Sequence, residues 1–167
     1  MSVTIQGSGQ VVVQLQSTTL TTGTFTTTST SMTNITGMAV NITPTNSSNK
    51  VLVNIAMTVS GADGYTIAFQ LLRNGTAVDL GTSGTTGPNY SFALTPRSNN
   101  SPTNVTWQYL DSPATTSAVT YQVQVRLQGS YPQTFALNFA NGYLNAGSDV
   151  YQGCYTSTIT AKEIAYA

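Results

Sequence analysis

Val119-Thr120-Tyr121-Gln122-Val123-Gln124-Val125-Arg126-Leu127 alternates without a fault: five apolar residues stand at the odd positions and four polar ones between them. Successive side chains of a strand point to opposite faces, so this period of two predicts a strand with one face buried. The neighbouring segments repeat it. Val51, Val53, Ile55, Met57 and Val59 are apolar at every odd position of 51–59, with mixed residues between. Val105, Trp107 and Tyr109 alternate with Thr106 and Gln108, and Thr134–Phe139 shows the same pattern. Further strands are expected at Gln10–Gln16, Thr24–Ser29, Met38–Ile42, Tyr65–Arg73, Ala77–Leu80 and Thr156–Ile164. Tyr65, Ile67, Phe69 and Leu71 give one of these its core face. No segment carries apolar residues at i, i+3, i+4 and i+7, so no helix is expected. Nine or ten strands in one chain predict an all-β, antiparallel β-sandwich.

The breaks between these runs fit that class. Asn74-Gly75 between two apolar runs is the signal of a two-residue hairpin, because a type I′ turn needs positive φ at both centres. Asp63-Gly64 is a second candidate of the same kind. The segments 81–88, 97–102, 111–117 and 142–153 are rich in Gly, Pro, Ser and Asn and read as loops. The first 22 residues hold a short β-prone run, Val11, Val12, Val13 and Leu15, between polar stretches. That run is read either as an arm that adds a strand to a neighbour, or as the first strand of the sandwich. The organisation expected is therefore an arm or first strand over 1–22 and one sandwich domain over 23–167.

Composition bounds the function. The chain has 167 residues, one domain's worth, of which 40% are apolar and only 6% charged, against ~25% in an ordinary soluble protein. Its surface must be built from Thr, Ser, Asn and Gln. No apolar run approaches the ~18 residues of a spanning helix, so membrane insertion is not expected. Net charge is zero, and the five basic residues Lys50, Arg73, Arg97, Arg126 and Lys162 are scattered. Nucleic-acid binding needs a basic stripe, so no nucleic-acid partner is expected. Cys154 is the lone cysteine, which leaves no intrachain disulfide; it is read as a buried small hydrophobe. Met1–Gln10 has neither a basic leader nor an apolar stretch, so no secretory signal is read there.

Catalytic groups are scarce. The chain has no His, so it has no Ser-His-Asp or Cys-His arrangement, and one Cys cannot build a zinc site. Gly81–Gly87 is glycine-rich but lacks the lysine and following helix of a phosphate loop. The carboxylates are Asp63, Asp79, Asp111, Asp149 and Glu163; no spacing sets two of them face to face. Asp63, Asp79 and Asp111 adjoin turns, where Asp bonds nearby backbone N–H groups. Neither an enzyme nor a cofactor nor a metal is expected. Among the aromatics, Trp107 and Tyr121 fall on core faces, while Tyr143, Tyr151 and Tyr155, in or beside the long loop, are the candidate surface contacts.

Three stretches carry a resemblance. Ile35–Pro44 with Asn46–Val53, then Tyr109-Leu110-Asp111-Ser112-Pro113-Ala114-Thr115-Thr116-Ser117-Ala118-Val119-Thr120-Tyr121, then Ser157–Ile164, resemble a module of tailed-phage (cyanophage-like) virion surface proteins. The resemblance runs from about residue 24 to the end, and its middle stretch is the most specific. It implies a trimeric jelly roll similar to the C1q and tumour-necrosis-factor heads, found in capsid decoration (cement) proteins and at tail-fibre tips. The chain departs from the pattern at Ala161-Lys162, where two large apolar residues are usual. The implied partners are two further copies of the chain and the major capsid protein or other virion proteins, with a host-surface glycan in the tail-tip alternative. The implied location is the virion, after synthesis in the host cytoplasm. Because the domain fills nearly the whole chain from Met1, the decoration role is expected over the tail tip, with 1–22 as the capsid-anchoring arm.

Overall fold

A computed structural model describes residues 9–22, 25–82, 87–96, 101–129, 133–140 and 154–166. Among these the chain is all-β, with no helix. The strands are β1 (Gln10–Leu20), β2 (Thr26–Thr27), β3 (Thr33–Ile42), β4 (Lys50–Ser60), β5 (Ile67–Arg73), β6 (Thr76–Val78), β7 (Phe92–Leu94), β8 (Thr103–Asp111), β9 (Val119–Leu127), β10 (Phe135–Leu137) and β11 (Ser157–Tyr166). All pair antiparallel, in two sheets that face one another as a β-sandwich. The first sheet runs β1-β11-β4-β8, with short β10 and β2 continuing beside β4. The second runs β3-β9-β5, with β6 and β7 both pairing β5.

The alternation read from the sequence fixes which face is inside. Tyr121, Val123, Val125 and Leu127 of β9 are all buried, and so are Val51, Val53, Ile55, Met57 and Val59 of β4. These meet Ile67, Phe69 and Leu71 of β5 and Ile159 and Ala161 of β11 in one core. An aromatic cluster runs from the core to its margin: buried Phe69 lies 5.9 Å from buried Phe135 and 6.0 Å from half-buried Trp107, which stacks on half-buried Phe92 at 5.7 Å. Aromatic contacts in this range add about 0.5–1.5 kcal/mol each beyond their burial.

Two local irregularities shape the edges. In β3 the register shifts between Asn34 and Ala39, where Gly37 takes φ +84°. A Cβ at Gly37 would sit 2.9 Å from Leu20 of β1, so glycine serves both the conformation and the close approach. The amide of Gln122 fills the bulge, donating to the carbonyls of Ile35 and Met38 at 3.0 Å. At the far end of β1, buried Asn138 ties three strands together: its side chain donates to Leu20 O, its backbone N–H donates to Thr58 O, and Ser157 donates to its Oδ1.

The Asn74-Gly75 hairpin forms as expected, with φ of 48° and 83° joining β5 to β6. Asp63-Gly64 does not join paired strands. It turns the chain from β4 in one sheet to β5 in the other, and Gly64 N–H donates to Pro96 O instead.

Candidate functional site

Among the described residues two carboxylates are buried in this low-charge chain, on one cross-strand row. Glu163 and Asp111 both pair Val51, from opposite sides, on the inner face of the first sheet. Glu163 is 0% exposed, and no cation among the described residues forms a salt bridge with it. It accepts instead from Asn49 Nδ2 (2.6 Å), Thr45 N–H (2.7 Å), Thr45 Oγ1 (2.8 Å) and Gln14 Nε2 (2.6 Å). Burial pushes its carboxyl up, but the bonds from Asn49, Gln14 and Thr45 outweigh it and hold the group at about 2. Gln14 also donates to Thr43 O, so this knot binds β1, β11 and the β3–β4 turn.

Asp111 joins the two sheets. Arg73 Nη1 of β5 donates to both its oxygens, at 2.9 and 3.1 Å, and the Tyr121 hydroxyl of β9 donates at 2.6 Å. Burial and the bond to Asp111 push the Tyr121 phenol far above its ordinary value. Asp111 is thus a buried acceptor for distant side chains, and not the turn residue bonded to nearby backbone N–H groups that its neighbours suggest; its partners lie 38 and 10 residues away in sequence. Glu163 accepts four hydrogen bonds and Asp111 three, and Glu163 has no proton to give near neutral pH. Their chemistry here is to hold strands.

The outer face of the first sheet is the surface with a distinct character. Its cross-strand rows can be read from the register. Leu15, Lys162, Leu52 and Leu110 form one row across all four strands. Ser17, Thr160, Asn54 and Gln108 form the next, and Thr19, Thr158, Ala56 and Thr106 the one after. Along these strands the face carries two lysines, Lys50 and Lys162, and no carboxylate. Between the rows lies an open trough of 440 Å³, lined chiefly by Asn54, Ala56, Thr106, Gln108, Thr158 and Thr160. Asn54 Oδ1 is buried there and accepts no hydrogen bond, although its Nδ2 donates to Gln108.

The sequence-predicted contact residues map as follows. Val11, Val12, Val13 and Leu15 lie on β1, which pairs along β11 at the edge of the sheet, and they are 37%, 55%, 44% and 52% exposed. They account for four of the six large exposed hydrophobics among the described residues; Leu110, at the far end of the leucine row, is another. Tyr143 and Tyr151 lie outside the described residues. Tyr155 is half-buried just before β11, its N–H bonded to Asn138 O. Cys154 is exposed, contrary to its reading as a buried residue, because it falls in the irregular segment before β11 begins. Lys162 points outward between Leu15 and Leu52. Sequence reasoning missed Leu52 and Leu110, whose place became visible only when register aligned them with Leu15. No protein-family model matches the chain, and no curated protein matches it in sequence.

Proposed function

We propose that the protein is a structural component of a tailed-phage virion: a homotrimeric jelly roll that sits outside the capsid shell as a decoration protein and stabilises it. The observation that carries this reading is the outer face of the first sheet, with its apolar edge strand. Long exposed edges are normally blunted by charge or proline. Strand β1 has neither, only a register shift between Val12 and Gln14, and presents three valines and a leucine to solvent. Four strands of about 11 residues span roughly 19 Å by 36 Å, or roughly 700 Å². That approaches the ~800 Å² per partner of a standard interface. The unpaired Asn54 Oδ1 supports contact with another copy, since a buried acceptor without a partner costs about 1–3 kcal/mol.

Strand order supports the jelly-roll part. With β2, β6 and β10 set aside and β7 kept, although it has three residues like β6 and β10, eight strands remain. The first sheet then reads first-eighth-third-sixth and the second reads second-seventh-fourth-fifth. That order fits the winding of a ribbon folded double and rolled. The three stretches that carry the phage resemblance contribute Asp111, Tyr121, Glu163 and the turn bearing Thr45 and Asn49, so the likeness falls on residues that fasten the fold. Polar, uncharged contacts that spread load between capsomers are what such a protein adds to a shell under internal pressure.

The test is location. Electron microscopy of particles carrying the labelled protein is expected to show it on the outer shell. Density at a tail tip supports the alternative, a receptor-binding domain, and absence from the particle ends both readings.

A further inference from the structure

We propose that the outer face of the second sheet holds a binding site for a carboxylated sugar residue of the uronic-acid type, with Arg126 as its anion partner. Arg126 stands on β9 opposite Ala68 of β5, and Ala93 of β7 is next in the same row. The small side chain of Ala68 beside the long one of Arg126 leaves a hollow. It measures 300 Å³ and is lined by Thr66, Ala68, Tyr90, Arg126, Gln128 and Gly129. The volume is at the small end of ligand sites and suits a single sugar ring.

Among the described residues no carboxylate compensates the charge in this hollow. Arg73 is committed to Asp111. Arg126 forms no ion pair with any carboxylate among the described residues. Its guanidinium lies over the Tyr90 ring, 5.9 Å from the centroid. Among the described residues its N–H groups donate no hydrogen bond, so they stay available to a ligand. A planar fork of donors matches a carboxylate in two-point geometry. The remaining lining suits a sugar. Gln128 accepts from Thr66 N–H through Oε1, which leaves its amide nitrogen without a partner among the described residues. Thr66 offers a hydroxyl shared with Thr95. Ala68 and the body of Tyr90 give an apolar floor and wall for ring C–H groups. A lone guanidinium beside neutral amide and hydroxyl groups is too little for a phosphate dianion, and an uncharged sugar would leave the arginine unused.

The site is independent of the virion reading. Glucuronate, glucose and acetate are each titrated into the protein while amide shifts are followed by NMR. Glucuronate is expected to bind with a millimolar dissociation constant, shifting residues of β5 and β9, and at least tenfold more tightly than glucose or acetate. Arg126→Gln and Gln128→Ala are both expected to weaken it, the first by tenfold or more. Each is checked for native circular dichroism, and the exposed Gln128 keeps the test open should the arginine variant misfold. Equal affinity for acetate overturns the sugar assignment. Equal affinity for glucose, or undiminished binding by a folded Arg126→Gln, overturns the site.

Discussion

Glu163 is the residue whose environment departs furthest from what its type suggests. A carboxylate buried without a cation ordinarily takes a proton, because desolvation penalises the charge. Here four donors replace its hydration, and its value falls from 4.5 to about 2. The folded value lies below the unfolded one, so Glu163 contributes stability that is fully present above about pH 4.5 and lost as pH falls toward 2. Urea unfolding between pH 6 and pH 2.5 is expected to show that loss, and Glu163→Gln to remove this part of it. At neutral pH, Glu163→Ala strands the donors of Gln14, Thr45 and Asn49 in a buried site, each costing about 1–3 kcal/mol, so destabilisation of about 3 kcal/mol or more is expected. Tyr121→Phe, which removes one of three bonds to Asp111 and leaves Arg73 in place, is expected to cost about 1–2 kcal/mol by the same measurement. None of this was legible in the sequence. Asp111 beside Ser112-Pro113 reads as a turn residue, and only the register of β4, β5 and β9 brings its partners to it.

At the scale of elements, alternation was the legible feature and its absence the source of error. Val119–Leu127 coincides with β9 to the residue, and 51–59 grew by one residue at each end. Strand β7 went unread because Phe92-Ala93-Leu94 is too short to show a period. Asp63-Gly64 was misread because a turn signal reports that the chain reverses and not which sheet it enters next. The two readings of the first 22 residues also divide at this scale, since β1 is fastened at both ends: Gln14 to Glu163, and the Leu20 carbonyl to Asn138. Deleting residues 1–9 is expected to leave the melting temperature within a few degrees of the full chain. Deleting 1–20 uncovers the edge of β11, strips one donor from Glu163 and is expected to lower it by roughly 10 °C or more, a drop set by the loss of several kcal/mol. Thermal denaturation followed by circular dichroism separates the two. Equal melting temperatures would show β1 to be a detachable arm. A truncation through residue 20 therefore tests folding together with capsid anchoring, and point changes on β1 are the cleaner probe of contact.

At the scale of the whole molecule, the leucine row would set the geometry of the proposed trimer. Leu15 lies at one edge of the first sheet and Leu110 at the other, with Lys162 and Leu52 between them. A ring in which the β1 edge of one copy meets the β8 edge of the next is heterologous, and each copy contributes both edges. Substitution at either end then breaks every junction. Leu15→Arg and Leu110→Arg change side chains that are 52% and 42% exposed, so each is expected to leave the stability of the single chain within about 0.5 kcal/mol. By light scattering at micromolar concentration the unaltered protein is expected as a trimer and each variant as a monomer. Mixing the two variants in equal amounts adds a sharper expectation. The intact Leu110 edge of the first meets the intact Leu15 edge of the second, one junction forms, and the opposite edges are both blocked, so the mixture stops at dimers. A mixture that stays monomeric rules out edge-to-edge meeting of these leucines, and an unaltered protein that is monomeric removes the trimer altogether.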